Sequence, residues 1–234
     1  MRLIRENIRK LKYKLKFLSI NKNTKTSYIC NSSSSSYLAQ LMNKYGSDKG
    51  GATNHHNYAD YYSTLFSNQR FKIKNFLELG LGTDDKNMAS NMSSLSGKPL
   101  ASVRAWRDYF PNAQIFGADI DIKILKKEER INTFYVDQTD PKTINELFLN
   151  IGITNFDIIL EDGLHEFNAN ICFFENSIQY LAKDGTYIIE DVYYKDKKKF
   201  INYFNKTKYN FSIIDIYHEK NIANNCLIVI TKNA

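Results

Sequence analysis

From residue 76 onward, short apolar runs alternate with amphipathic stretches along the chain. The apolar runs are typical of buried strands. We predict seven of them: Phe76–Leu81, Gln114–Ile120, Thr133–Val136, Phe156–Leu160, Gly185–Glu190, Phe211–Tyr217 and Cys226–Ile230. Four stretches between them have helical periodicity: Val103–Phe110, Thr143–Leu149, Phe167–Leu181 and Lys195–Asn205. Strands that alternate with helices predict βαβ units and a parallel sheet.

The last two predicted strands are separated only by a short polar stretch, Glu219–Asn225. A crossover helix does not fit into a connection of this length, so we expect an antiparallel hairpin at the sheet edge. The whole pattern predicts an α/β fold with a doubly wound, mostly parallel seven-stranded sheet.

The N-terminal segment has a different pattern. Its apolar residues have the spacing of one face of an amphipathic helix: Ile4, Ile8, Leu11, Leu15 and Leu18. This helix could dock on the domain or a second subunit, or lie on an anionic membrane surface. The run Ser32–Ser36 is interpreted as a linker or a helix-capping turn. We therefore divide the chain into a basic helix with its linker (1–31), a lid segment (32–75) and the α/β domain (76–234).

The net charge of +7 is concentrated near the N-terminus. Residues 1–25 carry nine Lys or Arg and one acidic residue, which leaves the rest of the chain nearly neutral. A neutral body is a poor footprint for nucleic acid, so we expect no such partner. No apolar run is long enough to span a bilayer, and the three cysteines have neither disulfide nor zinc spacing. We expect a cytoplasmic protein, with peripheral contact at the inner membrane face as an option for the basic helix.

Glycines follow the first predicted strand directly, in the sequence Glu78-Leu-Gly80-Leu-Gly82. Glycine lets the backbone turn sharply and approach a ligand at the carboxyl edge of a sheet. The dinucleotide fingerprint needs a third glycine where this chain has Asp85. Taken alone, the spacing fits a simple strand-to-loop turn equally well.

Polar residues end the next two predicted strands. Asp119 ends the second strand, where a carboxylate can accept both ribose hydroxyls of an adenosine cofactor. Asp137 and Gln138 end the third strand, where a carboxylate beside an amide suits the exocyclic amine of adenine. Each of these residues alone could be a loop or capping residue. Their positions at successive strand ends favour a site for an adenosine cofactor.

Three more carboxylates end the fourth and fifth predicted strands: Asp162 on one, Glu190 and Asp191 on the other. These strands are neighbours in a doubly wound sheet, so their ends lie roughly 5 Å apart. Crowded carboxylates repel unless they share a cation, and oxygen ligands suit Mg²⁺. Capping is the structural alternative for Glu190 and Asp191. His165 follows at the rim as a candidate base, or as a solvent-facing histidine at a helix start.

These motifs resemble those of the metal-dependent sugar O-methyltransferases of the macrolide type, which are class I S-adenosylmethionine-dependent enzymes. The matching stretches lie between about residues 45 and 192: Glu78-Leu-Gly-Leu-Gly, Trp106-Arg-Asp-Tyr-Phe-Pro, Gly117-Ala-Asp-Ile-Asp, Asp137-Gln-Thr-Asp, Glu161-Asp-Gly-Leu-His and Ile189-Glu-Asp-Val. The resemblance implies a Rossmann-like methyltransferase fold and S-adenosylmethionine as cofactor, contacted by Glu78, Gly80, Gly82, Asp119, Asp137 and Gln138. It also implies Mg²⁺ or Mn²⁺ held by Asp162, Glu190 and Asp191, with His165 as general base. Asp84 departs from the pattern, because the general methyltransferase motif has a third glycine there.

The segment before the first predicted strand is expected to lie across the cofactor as a lid. Lys49 would neutralise the methionine carboxylate of the cofactor, although a solvated surface lysine explains it equally well. His55 and His56 are interpreted as loop histidines outside the site, and His218 as a substrate contact.

The resemblance implies methyl transfer to a hydroxyl of a nucleotide-sugar, or of a sugar in a capsular or lipopolysaccharide surface polymer, and we expect a homo-oligomer. One alternative is a methyltransferase acting on RNA or another non-sugar molecule. Base-amine methylation typically uses a Pro-Pro-aromatic loop after strand four, and no proline follows Pro141. A second alternative is a non-catalytic adenosine-binding module, which would not need a base beside a metal site.

Overall fold

The computed structural model describes residues 8, 11, 26–29, 33–52, 56–89, 91–92, 98–221 and 223–232. Within these residues nine strands form one sheet. They are β1 (Thr26–Ile29), β2 (Asn75–Leu79), β3 (Gln114–Asp119), β4 (Lys127–Glu128), β5 (Ile131–Tyr135), β6 (Phe156–Glu161), β7 (Leu181–Ile189), β8 (Asn210–Ile216) and β9 (Cys226–Thr231). Their spatial order is β1-β8-β9-β7-β6-β2-β3-β5-β4.

The seven predicted strands are all present and form the continuous middle of this sheet, from β8 to β5. Neighbouring strands from β7 to β5 run parallel, whereas β9 runs antiparallel to both β7 and β8. The doubly wound, mostly parallel fold and the antiparallel hairpin are therefore confirmed. The hairpin is not at the edge, however, because β8 pairs in parallel with the additional strand β1.

Two strands were missed by the sequence pattern, and both are short. β1 has four residues, and β4 has two polar residues that pair antiparallel with β5. A two-residue polar strand has no alternation of apolar and polar positions that could predict it. The predicted N-terminal helix lies outside the described residues apart from Ile8 and Leu11. The division of the chain into three parts stays a prediction.

Six helices whose bounds lie within the described residues cover the two faces of the sheet. One face carries α1 (Tyr37–Tyr45), α2 (Ala59–Phe66) and α3 (Ala101–Tyr109), and the other carries α4 (Pro141–Ile151), α5 (Phe167–Ser177) and α6 (Lys197–Phe204). The predicted helix Phe167–Leu181 ends earlier because a 3-10 turn, Ile178–Tyr180, leads directly into β7.

Alternate residues of each strand enter opposite cores, as the pleat requires. Phe76 packs with the helices α1 to α3, whereas its neighbour Leu77 packs with α4 to α6. The first core contains a group of aromatic rings in which Trp106 lies 5.0 Å from Phe76 and 5.5 Å from Tyr62 between ring centroids. Because Tyr62 belongs to α2, this packing holds the segment before β2 against the sheet.

The chain reaches the site from α1. Ser36 caps this helix by accepting a hydrogen bond from the Ala39 N–H, which confirms the capping alternative for the serine run. Gly46 ends the helix with a φ of +87°, and Lys49 follows in a short 3-10 helix. Among the described residues, no helix is both long and apolar enough to cross a membrane.

Candidate functional site

A cavity of about 300 Å³ opens at the carboxyl ends of the parallel strands. Most of the sequence-predicted site residues line it: Lys49, Gly80, Gly82, Asp119, Asp137, Gln138, Asp162, His165 and Asp191. Glu78 and Glu190 do not line the cavity and are fully buried beside it. The fold thus brings nearly all of these residues to one place, as expected for a doubly wound sheet.

The glycines after β2 adopt backbone conformations that other residues rarely adopt. Gly80 and Gly82 have φ values of +87° and +76°. A Cβ on Gly80 would lie 1.9 Å from the carbonyl oxygen of Asp162, so no side chain fits there. The loop therefore passes directly against the end of β6, which requires glycine.

Asp119 anchors this glycine loop to the end of β3. Its two carboxylate oxygens accept hydrogen bonds from the backbone N–H groups of Leu81 at 2.6 Å and Asp121 at 2.8 Å. Burial raises the pKa of Asp119, although these N–H groups oppose that effect. Each carboxylate oxygen can accept a second hydrogen bond. The contacts therefore leave room for the predicted role toward ribose hydroxyls.

At the end of β5, Asp137 and Gln138 both bond to nearby protein groups. Asp137 accepts from the N–H and the hydroxyl of Thr139. The Gln138 side chain donates to Glu161 at 3.1 Å and accepts from the Leu164 N–H at 2.6 Å. Gln138 thus connects the ends of β5 and β6, in addition to lining the cavity.

Lys49 extends its ammonium group into the carboxylates beside the cavity. Its Nζ contacts Asp162 directly, lies 2.7 Å from Glu190 and lies 3.8 Å from Glu78. Burial opposes the charge of Lys49, but the surrounding carboxylates hold its pKa well above the usual range. Burial raises the pKa of Glu78 to about 8, although Lys49 opposes this. The predicted contact of Lys49 with a cofactor carboxylate stays a prediction.

Glu190 points toward α2 and is fully enclosed. It accepts a hydrogen bond from the Tyr62 hydroxyl at 2.5 Å as well as from Lys49. Burial, together with the nearby charges of Asp162 and Asp191, raises its pKa well above the usual range, although Lys49 opposes this.

Asp191 is held by two donors and faces His165. Its carboxylate accepts from the Tyr58 hydroxyl at 2.7 Å, and His56 Nε2 lies 3.2 Å from Oδ2. Burial opposes its ionisation, but the neighbouring histidines hold the pKa of Asp191 below the usual range. His165 Nε2 lies 3.8 Å from Asp191, and His165 Nδ1 lies 3.9 Å from Asp162.

One possible ligand atom from each of Asp162, His165 and Asp191 lies within 4.8 Å of the other two. This set differs from the predicted metal ligands by having His165 in place of Glu190. The Glu190 carboxylate accepts hydrogen bonds from Lys49 and Tyr62.

The backbone is strained at two of these residues. His165 and Asp191 have φ values of +58° and +54°, in the left-handed region that disfavours residues with a Cβ. Such conformations cost about 1–3 kcal/mol and cluster at functional sites. They place both side chains on the same side of the strand ends, at the rim of the cavity.

Three residues of the site come from the segment just before and within α2, and sequence reasoning missed all of them. Tyr58 and Tyr62 have core spacing and are buried, so nothing in the pattern marked their hydroxyl groups. His56 lies in a loop, as predicted, but it is buried and its Nε2 lies 3.2 Å from Asp191. His55 lies outside the described residues. His218 accepts from the Asn221 N–H within the β8–β9 connection, and its substrate contact stays a prediction.

A second, wider groove of about 520 Å³ adjoins the cavity at Ala89, Leu164 and His165. Its walls include Phe167, Tyr193, Lys195 and Lys199. The Tyr193 ring is 39% exposed, with the Lys195 ammonium 5.4 Å from its centroid. An exposed ring next to polar groups is suited to bind one face of a polar molecule.

Among curated proteins, the relatives that match this chain are O-methyltransferases. The chain is 31% identical over 155 residues to 8-demethyl-8-alpha-L-rhamnosyl tetracenomycin-C 2'-O-methyltransferase of Streptomyces olivaceus. It is 30% identical over 157 residues to mycinamicin VI 2''-O-methyltransferase of Micromonospora griseorubida. These matches cover 66% and 67% of this chain but only 37% and 36% of the relatives. The chain thus spans little more than a third of their length. No protein-family model matches it.

Solved structures agree with these relatives. The MycE methyltransferase of the mycinamycin biosynthetic pathway, in complex with Mg and SAH, has a TM-score of 0.55 and 27% identity, covering 66% of this chain and 39% of that one. A Staphylococcus aureus protein assigned as a caffeoyl-CoA O-methyltransferase has a TM-score of 0.53 and 14% identity. The match covers 74% of this chain and 82% of the Staphylococcus aureus protein, and the two share the fold alone.

Proposed function

Because the chain has the class I methyltransferase fold and is homologous to sugar O-methyltransferases over about two thirds of its length, we propose that it transfers a methyl group from S-adenosylmethionine to a sugar hydroxyl. The observation that carries this proposal is the group formed by Asp162, His165 and Asp191. It lies at the rim of a cavity that the glycine loop and Asp119 also line.

The cavity of about 300 Å³ is the proposed site of S-adenosylmethionine. The close approach of the Gly80–Gly82 loop leaves backbone groups open to a ligand, as in other adenosine-binding folds. Asp119 offers its remaining acceptor capacity to the ribose, and Asp137 with Gln138 lies at the adenine end. Lys49 and Glu78 adjoin the end of the cavity near the carboxylates, where the methionine part of the cofactor would lie.

The carboxylates also fit a divalent ion, Mg²⁺ or Mn²⁺. We propose Asp162, Glu190 and Asp191 as its ligands, and the ammonium of Lys49 already lies between the first two. These carboxylates therefore already attract one cation in the folded protein, the ammonium group of Lys49. When bound, a divalent ion would lower the pKa of a coordinated hydroxyl and orient it.

His165 is the proposed general base. Within the part of the chain that the structure describes, its Nδ1 is buried without a hydrogen-bond partner, 3.9 Å from Asp162. Its ring stands between the cavity and the wider groove, so a hydroxyl bound in the groove would meet both the imidazole and the methyl donor. Holding the two reactants in this way supplies the proximity that the reaction needs.

The groove is the proposed acceptor site, with the Tyr193 ring as a platform for a sugar. A nucleotide-sugar or a sugar of a capsular or lipopolysaccharide polymer is the proposed acceptor class. A homo-oligomeric state, a cytoplasmic location and contact of the basic N-terminal segment with a membrane stay predictions.

An assay with isotopically labelled S-adenosylmethionine tests this function. We expect methyl transfer to nucleotide-sugars, loss of transfer in excess chelator, and recovery on addition of Mg²⁺ or Mn²⁺. RNA serves as the competing acceptor. Label in RNA instead of sugar would support the alternative function, and binding of the cofactor without transfer to any acceptor would favour a binding module. Full activity in excess chelator would contradict the metal site.

A further inference from the structure

His56, which the sequence pattern left outside the site, lies in a buried polar network. It is 6% exposed, and its ring stacks on Tyr58 with 4.9 Å between centroids. The network joins three separate parts of the chain: the segment before α2, the end of β7 at Asp191, and the β8–β9 connection at Asn225. A buried network of this kind restricts how its members can orient.

The hydrogen bonds of Asn225 determine the orientation of its amide. Its Nδ2 donates to the Ile216 carbonyl at 2.8 Å and to Asn57 Oδ1 at 2.7 Å. The Nδ2 of Asn57 in turn donates to the Tyr217 carbonyl at 3.2 Å. Asn225 therefore presents its oxygen, which is only an acceptor, to His56 Nδ1 at 3.0 Å.

The other ring nitrogen of His56 faces a carboxylate, because Nε2 lies 3.2 Å from Asp191 Oδ2. Both groups that face Nε2, the carboxylates of Asp191 and Asp48, are acceptors, so this nitrogen carries the hydrogen of the contact. The Asn221 amide also approaches Nδ1, at the longer distance of 3.4 Å.

We propose that His56 is a positioning residue for methyl transfer, which orients the Asp191 carboxylate toward His165 by donating a hydrogen bond to Oδ2. The Tyr58 hydroxyl donates to the other oxygen, Oδ1, at 2.7 Å. With one donor on each oxygen, the carboxylate cannot rotate freely. The role of His56 in methyl transfer rests on the proposed function, whereas the His56–Asp191 contact does not.

The orientation matters because Asp191 lies in a loop with a strained backbone. Without the His56 hydrogen bond, the carboxylate would be free to turn away from His165 and from any bound ion. Removing residues that orient the ligands of a metal typically costs 10–100-fold in metal affinity or activity.

Two substitutions test the proposal. His56→Leu removes the Nε2 donor while keeping an apolar side chain, and His56→Gln keeps one amide donor. We expect His56→Leu to lower kcat by about 10–100-fold and to weaken Mn²⁺ binding, followed by electron paramagnetic resonance, by a similar factor. His56→Gln should recover part of both losses, and the KM for S-adenosylmethionine should stay unchanged in both variants.

Asp60→Asn is the matched control. The Asp60 carboxylate accepts hydrogen bonds from the N–H groups of Ser34 at 2.6 Å and Ser36 at 3.1 Å. It therefore anchors the same segment of the chain away from the carboxylates. If a loosened segment were the cause, Asp60→Asn would reproduce the effects of His56→Leu, and that result would overturn the proposal.

A spectroscopic measurement reads the contact without any turnover. Nitrogen-15 spectra of the wild-type histidine side chains should show one Nε2–H proton that is protected from exchange with solvent, because His56 is buried and donates to Asp191, and His56→Gln should lose this signal. Absence of the protected Nε2–H, or unchanged kcat and Mn²⁺ affinity in His56→Leu, would overturn the proposal. If the wild type transfers no methyl group but the signal and the Mn²⁺ effect remain, the proposed function fails and the role of His56 at Asp191 stands. If His56→Leu does not fold, His56→Gln and the wild-type spectrum decide.

Discussion

Two parts of the cavity wall are stabilised in opposite ways: the glycine loop with Asp119, called here the glycine-loop end, and the carboxylates with His165, called here the carboxylate end. At the glycine-loop end, backbone N–H groups bind Asp119, so the polar contacts come from the strand ends themselves. At the carboxylate end, the charges of Glu190 and Asp191 are compensated by side chains far away in sequence, such as Lys49, which is 141 residues before Glu190. The first end is built by the local turn chemistry of a strand and its loop, whereas the second depends on how a separate segment packs.

The largest expected effect tests whether the carboxylate end acts in turnover rather than in cofactor binding. His165→Ala should lower kcat by about 10²–10⁴-fold, the usual range for a lost general base. Cofactor affinity should not change, because the imidazole is proposed to face the acceptor in the groove rather than the adenosine part of the cofactor. The measurement is methyl transfer with saturating metal, together with calorimetry of cofactor binding. Unchanged turnover would assign the proton to another group.

The next effect concerns charge at the carboxylate end. Lys49→Met leaves buried carboxylates without their cation, which we expect to lower the free energy of unfolding by about 3–5 kcal/mol. Mn²⁺ should restore part of this loss because it replaces the missing charge, and chemical denaturation with and without the ion measures both. Lys44→Met is the control, because Lys44 lies on the surface of α1, 64% exposed, and should change little. Equal stability of the two variants would contradict the role of Lys49 as the buried counter-charge.

A smaller effect should appear at the glycine-loop end. Asp119→Ala removes charged hydrogen bonds of about 1.5–3 kcal/mol each, so cofactor affinity should fall by about 10–100-fold. Calorimetry with S-adenosylmethionine measures this change. Asp85→Ala is the matched control, since the described hydrogen bonds of the Asp85 side chain are solvent-exposed, including an ion pair with Lys123 at 2.8 Å. If the two variants bind the cofactor equally well, Asp119 is not part of its site.

The smallest effect tests the strained backbone at the carboxylate end. His165→Gly should be more stable than His165→Ala by about 1 kcal/mol, because glycine adopts a positive φ without the cost that a Cβ imposes. Denaturant unfolding of the two variants measures the difference, and neither retains the imidazole. An alanine variant that is as stable as the glycine variant would show that this residue can relax to an ordinary conformation.

Sequence patterns predicted the parts that depend on strands and their ends. The apolar runs gave the seven central strands and the antiparallel β9, and the residues after each strand gave most of the cavity lining. These predictions succeeded because parallel strands present their carboxyl ends at one edge of the sheet, whatever the details of packing.

The remaining features depend on contacts between distant segments, which no local pattern records. Tyr62 has the spacing of a core residue, and its hydroxyl reaches Glu190 only because α2 packs over the strand ends. His56 is one of two adjacent histidines in a polar stretch, and its partner Asn225 is 169 residues away. Only the folded arrangement shows that Lys49 binds the Glu190 carboxylate while His165 faces Asp162.

The position of β1 has a consequence for handling the protein. β8 carries apolar residues such as Ile213, Ile214 and Ile216 and would be an edge strand without β1. A shortened protein that began after residue 30 would leave the backbone N–H and C=O groups of β8 unpaired along that edge. Such edges recruit strands from other molecules. We therefore expect truncation to cause self-association through β8, even where the cavity and its carboxylates remain intact.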